Sequence, residues 1–288
     1  MNYLQRGLQV TLNSIKKHKL LFAIIILLQI IFVVSSLWLG TQYVIRVLTD
    51  TQGIIQPLEQ ANYDTQKIEE GMPFTPDYAS IYNSYRSMLK NVIAFGTWMG
   101  LLFLLLNGSI WLLSHWMFEE NIRKQHWKEA AKKAVGFFLK AWSAVIVLFV
   151  PFAIVSYYVL IHYIRLSDSF AAVLFMIKII LLVKVALYYF LLTAFAAATA
   201  ESWKHFGREV LQRSIFDFPK TFSLFSINAA LLLLSFAALY GAIEYTESML
   251  LLALTGLLII IMIVLTRIYW IATVKEIGKE AGKETGRD

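Results

Sequence analysis

Six long apolar runs contain not one aspartate or glutamate, and nothing else in this chain constrains its fold as strongly. They extend from Leu20 to Leu39, Val92 to Met117, Phe137 to Tyr163, Ser169 to Ala200, Phe222 to Ile243 and Met249 to Val274. A helix crossing the ~30 Å hydrocarbon layer of a bilayer needs about 20 mostly apolar residues, which each run supplies. Lipid offers no partner to an unpaired backbone amide, so helices are the expected form. A lipid-facing barrel would need short alternating strands, and these runs are continuous. Composition agrees: 58% of the 288 residues are apolar and 16% charged, against ~45–50% and ~25% in soluble domains. The fold class is therefore all-α and polytopic, with six transmembrane helices in three hairpins. A soluble enzyme, a disordered chain and a disulfide scaffold are all disfavoured. With no cysteine, thiol catalysis and thiolate metal sites are excluded.

Lysine and arginine set the orientation. Eighteen lie on the side of the N-terminus: four up to Lys19, six between Arg123 and Lys140, four between Lys204 and Lys220, and four from Lys275 onward. Five lie opposite, at Arg46, Lys67, Arg86, Lys90 and Arg165, and three (Lys178, Lys184, Arg267) fall within the runs. The imbalance predicts a multi-pass protein of the cell membrane with cytoplasmic N- and C-termini. The +7 net charge is then a property of that face, suited to anionic lipid headgroups. No nucleic-acid motif accompanies it, so no nucleic-acid partner is expected.

Residues 1–19 form a first region, in which Leu4, Leu8, Leu12 and Ile15 make one stripe at helical spacing, as in an amphipathic helix lying on the inner surface. Residues 20–274 form the six-helix membrane domain, and 275–288 a charged tail whose glycines 278, 282 and 286 predict fraying. Two further cytoplasmic connections, Phe118–Lys140 and Glu201–Thr221, have amphipathic character, and Lys19, Lys140 and Lys220 each mark the entry to an outgoing span. Residues 41–90 are an extracytoplasmic helical stalk. Val44, Leu48, Ile55 and Leu58 continue the register of the first span, Tyr78, Ile81, Tyr82, Tyr85 and Leu89 lead into the second, and the tip falls near Gly71 to Pro76. The stalk is a candidate surface for a protein partner; the plainer reading is a hairpin packed on itself.

The entry segment Leu12-Asn-Ser-Ile-Lys-Lys-His-Lys-Leu-Leu-Phe22, in which an amphipathic stretch turns through lysines into a span, resembles, together with the three hairpins, the poorly characterised six-span membrane families of archaea and bacteria. These include the membrane domain found with some glycerophosphoryl diester phosphodiesterases. The resemblance covers nearly the whole chain and is one of layout. It implies an all-helical integral membrane protein and carries over no catalytic residue, since no phosphodiesterase domain is attached.

Lys184 is the sharpest candidate for chemistry. It lies about 22 Å along the fourth span from Ser169 at ~1.5 Å per residue, where a charge costs at least ~2.5–3.5 kcal/mol on insertion scales. By count, Gln29 and Asn107 sit at similar depth and Tyr188 one turn along, so Gln29, Asn107, Lys184 and Tyr188 form a candidate intramembrane polar cluster for an anion or a lipid phosphate. The alternative is a register in which Lys184 snorkels outward. Arg267 is read as snorkelling to headgroups. Gly96 and Gly100 suit close helix packing, and Pro151 should kink the third span. Tryptophans and tyrosines near span ends read as an interfacial belt. Catalytic signatures are absent: the histidines make no H-E-x-x-H pattern, the spans hold no paired aspartates, and no phosphate-binding glycine loop occurs.

These features point to a non-enzymatic membrane protein that needs no cofactor or metal and organises the membrane or a membrane complex. The alternative is a small transporter or permease-like subunit handling an anionic or lipid substrate near Lys184.

Overall fold

The computed structural model describes residues 2–60, 77–119, 127–166, 170–245 and 248–284, and all regular structure among them is helical. Nine helices are described: α1 (Tyr3–Lys17), α2 (Lys19–Gln60), α3 (Tyr78–Leu102), α4 (Gly108–Trp116), α5 (Trp127–Leu166), α6 (Phe170–Ala197), α7 (Trp203–Leu211), α8 (Phe218–Tyr245) and α9 (Met249–Glu284). A π-helical turn at Phe103–Asn107 joins α3 to α4, and another at Gln212–Phe216 follows α7. Six helical stretches are long and apolar enough to cross a membrane: α2, α3 with α4, α5, α6, α8 and α9.

The described residues fall into two compact units, Leu28–Asn107 on the one hand and Met1–Leu27 with Gly108–Asp288 on the other. In the first unit α2 and α3 pair antiparallel, since residues rising along α2 meet residues falling along α3. Tyr43 packs on Phe95 with ring centroids 5.6 Å apart, Asn91 Nδ2 donates to Asp50 Oδ2 at 2.7 Å, and a Cβ added at Gly53 would lie 3.3 Å from that of Ser84. Asp77 starts α3 by accepting from the Ser80 amide at 3.1 Å, which satisfies one of the free donors of the first turn. The expected tip at 71–76 lies outside the described residues. A Cβ at Gly96 or Gly100 would meet nothing within 4 Å, so the structure does not use this pair for close internal packing.

The second unit is densely packed at one end. Its fully buried large side chains include Trp270, Phe137, Ile110, Met117, Leu224, Ile268, Ile271 and Ile277. They come from α4 and the residue that follows it, the start of α5 and α8, and the later part of α9, which also packs against α1. Farther along α5, α8 and α9, and on α6, Val147, Ile154, Tyr158, Leu182, Leu233, Leu234 and Leu250 are exposed. An apolar surface of this extent is what lipid, and not water, solvates.

Three expectations are modified. The Phe118–Lys140 connection forms no separate surface helix over its described C-terminal part: α5 runs unbroken from Trp127 to Leu166, through Pro151. The tail does not fray after Val274, because α9 continues to Glu284 and Ile277 is fully buried. Packing there outweighs the low helix propensity of glycine. Finally, α1 meets the bundle through its small residues. Gly7 and Thr11 are buried, Gly7 against Thr273 of α9, while Leu8 and Leu12 are exposed. Arg6 pairs with Glu280, and Tyr269 of α9 donates to the Leu4 carbonyl at 3.4 Å.

Candidate functional site

The four residues singled out in the sequence are treated differently by the fold. Gln29 and Asn107 belong to the unit of α2 and α3 and are buried, Gln29 with its Oε1 lacking a partner among the described residues. Lys184 and Tyr188 lie one turn apart on α6 in the other unit, and both are exposed. Arg267 does not snorkel: its guanidinium sits over the Trp111 ring, 5.3 Å from the centroid. Lys140 is buried as well, and its ammonium donates to the carbonyl of Ala200 just beyond α6.

The packed end holds a layer of buried polar groups that periodicity did not expose. His115, at the end of α4, is fully buried, and its Nε2–H donates to the Phe195 carbonyl at 2.9 Å. Trp270 donates from its indole to the Leu192 carbonyl at 3.1 Å. The π-helical turn at Gln212–Phe216 disturbs the regular i→i+4 ladder, and side chains take up its carbonyls. Thr221 donates to the Arg213 carbonyl at 2.9 Å and accepts from Tyr189 at 2.6 Å. The same Tyr189 oxygen lies 3.2 Å from the Ser214 carbonyl. Phe218, Phe222, Phe225 and Trp270 hold the Tyr189 ring edge-on.

An open pocket of about 470 Å³ lies beside this layer, lined by Glu201, Ser202, His205, Glu209, Arg213 and Lys275 among others. Ser202 caps α7, its hydroxyl accepting from the His205 amide at 3.2 Å. One turn of α7 brings Glu209 to His205, and the π-helical turn that follows brings Arg213 to Glu209, each pair at 2.9 Å. Burial pulls the Arg213 guanidinium below the ordinary arginine range, while the Glu209 and Asp217 carboxylates push the other way. Lys275 follows the apolar run of α9, with its ammonium 5.1 Å from the Phe118 ring centroid and in no ion pair among the described residues. A second groove of about 590 Å³ runs along α7 and is lined by Trp203, Lys204, Arg208, Leu211 and Phe216 among others. It sets two cations beside large apolar side chains. Among the described residues no group of three or more histidines and carboxylates could hold a metal ion.

No family model, curated protein or solved structure matches this chain.

Proposed function

We propose that this is a non-enzymatic, multi-pass protein of the cell membrane, with both termini cytoplasmic, that organises the inner leaflet or a membrane complex by holding phospholipid headgroups at its packed end. One observation carries the proposal. Lys275 lines an open pocket where the apolar run of α9 gives way to polar sequence, and it makes no ion pair among the described residues, the Glu119 and Glu209 carboxylates acting on it only from a distance. Arg213 and the capped start of α7 stand beside it. The surroundings fit a headgroup layer: α1 and α7 are anchored through Gly7, Thr11, Phe206 and Ser214 while Leu8, Leu12, Trp203, Leu211, Ile215 and Phe216 stay exposed. Such segments insert apolar side chains at the acyl boundary and leave cations among the phosphates. The excess of lysine and arginine on this face supports its cytoplasmic orientation. Kinship with the six-span membrane families belongs to the same proposal and draws support from the three hairpins alone.

The experiment is native mass spectrometry of the detergent-solubilised protein, with thermal shifts on adding short-chain phosphatidylglycerol or phosphatidylcholine. Phosphatidylglycerol should be retained and stabilise the protein, and Lys275→Gln should reduce both effects. Equal response to the two lipids would overturn the headgroup site. Purification as a lone monomer that moves a solute across liposomes would overturn the organising role.

A further inference from the structure

The exposed Lys184 is left unexplained by the headgroup site. α6 is 28 residues long, Phe170–Ala197, about 42 Å at 1.5 Å per residue. Lys184 lies about 21 Å from its start on the same count, so at least about 9 Å inside either face of any ~30 Å hydrocarbon layer that this helix crosses. Its five side-chain bonds of ~1.5 Å reach roughly 6 Å, too short to bring the ammonium to either surface from there. Registering the membrane on the packed end changes little. About 20 residues back from Ala197 put Lys178 at the far boundary, and Lys184 is still some 9 Å inside it. Lys178 can snorkel, and Lys184 cannot.

Its surroundings supply no counter-charge. Lys184 is exposed, in a stripe with Leu181, Val185 and Tyr188, which share its helix face and are about half exposed. It is in no ion pair among the described residues. All six apolar runs lack aspartate and glutamate, so no span of this chain can neutralise the ammonium, however the two units are arranged. A second copy has the same six runs and fails for the same reason. A charge held at this depth needs a partner or water.

We propose that the Leu181–Tyr188 face of α6 docks inside the membrane against a transmembrane helix of a different protein, one that carries an aspartate or glutamate near its midpoint, and that Lys184 pairs with that carboxylate. The inference rests on the six-span reading and is independent of the headgroup site. Specificity comes from the charge pair, and the flanking Leu181 and Val185 give the apolar contact that packs two helices in lipid.

The test uses a designed probe: a polyleucine peptide of about 20 residues with a single central aspartate, reconstituted in phosphatidylcholine vesicles with the donor-labelled full chain and read by energy transfer. The aspartate peptide should associate at least tenfold more tightly than peptides with central leucine or lysine. Lys184→Met should abolish that preference, and Lys178→Met should leave it. Equal association of the three peptides with the wild-type chain, which involves no variant, would overturn the proposal. So would a spin label at Lys184→Cys, in a chain with no other cysteine, if its depth proved to be that of the headgroups.

Discussion

Gly7 of α1 lies so close to Thr273 of α9 that a Cβ built on it would stand 3.0 Å from the Thr273 Cα, a backbone atom that cannot rotate away. The helix before the first span is therefore not free on the membrane surface but seated in a notch that only glycine fits. Gly7→Ala should lower the melting temperature in detergent and expose α1 to protease, at an overpacking cost of about 1–3 kcal/mol. Gly100→Ala is the control. It meets nothing within 4 Å, so it should be neutral or gain up to ~1 kcal/mol from helix propensity. Equal destabilisation by both changes would remove the notch from the account.

The Tyr189 hydroxyl joins α6 to the start of α8 by donating to Thr221, beside the Ser214 carbonyl of the turn between α7 and α8. Tyr189→Phe keeps the ring among its aromatic neighbours and removes only the oxygen. The buried Thr221 hydroxyl then loses its donor, which costs about 1–3 kcal/mol. Thermal unfolding should show the loss, and proteolysis should open near Gln212–Phe216 before the rest of the chain. A variant as stable as the wild type would mean that the polar layer is not structural.

Because the chain is free of cysteine, topology can be read from single additions. Impermeant maleimide should label Gln66→Cys in intact cells and label Gln125→Cys only after lysis. These positions lie outside the described residues and are chosen on sequence alone. Labelling of both from outside would undo the six-span threading and the cytoplasmic assignment of the termini.

What the sequence revealed and what it hid have different physical origins. The spans were legible because burial in lipid needs only length and low polarity, which can be counted. The break between α1 and α2 was legible at Lys16–Lys19, since the chain turns at His18. The hairpin of α2 and α3 could be followed because Leu48 and Ile55 kept the helical register of the first span. The fates of Arg267, Lys140 and His115 were hidden. Each is polar beside apolar sequence, and whether such a side chain reaches headgroups, a ring or a carbonyl depends on a neighbour distant in the chain: Trp111, Ala200 and Phe195 respectively. The π-helical turn at Gln212–Phe216 has no simple periodic signature either, and it supplies Arg213 to the pocket. Glycines 278 and 282 misled in the other direction, because local propensity said nothing of the contact that Arg6 makes with Glu280.

The pocket makes a prediction in which one substitution should strengthen binding. Glu209 holds both His205 and Arg213 at 2.9 Å, and the Arg213 side chain is only 14% exposed. If anionic headgroups bind here, the Glu209 carboxylate competes with their phosphate for that guanidinium. Glu209→Gln should remove the ion pair of Arg213, leaving only the weaker pull of the Asp217 carboxylate, and lower the stability of the lipid-free protein, since a largely buried cation loses its nearest partner. Phosphatidylglycerol should then restore more stability to Glu209→Gln than it adds to the wild type. Lys275→Gln should show the opposite sign, with little change in the lipid-free protein and a smaller gain from lipid. Raising the salt concentration should shrink the lipid-induced gain, because screening weakens contacts at a half-open site. Thermal shifts of the three proteins with and without phosphatidylglycerol, at low and high salt, decide the matter. A Glu209→Gln protein that is destabilised and gains no more from lipid than the wild type would show that the carboxylate serves the fold alone and that the phosphate is not held by Arg213.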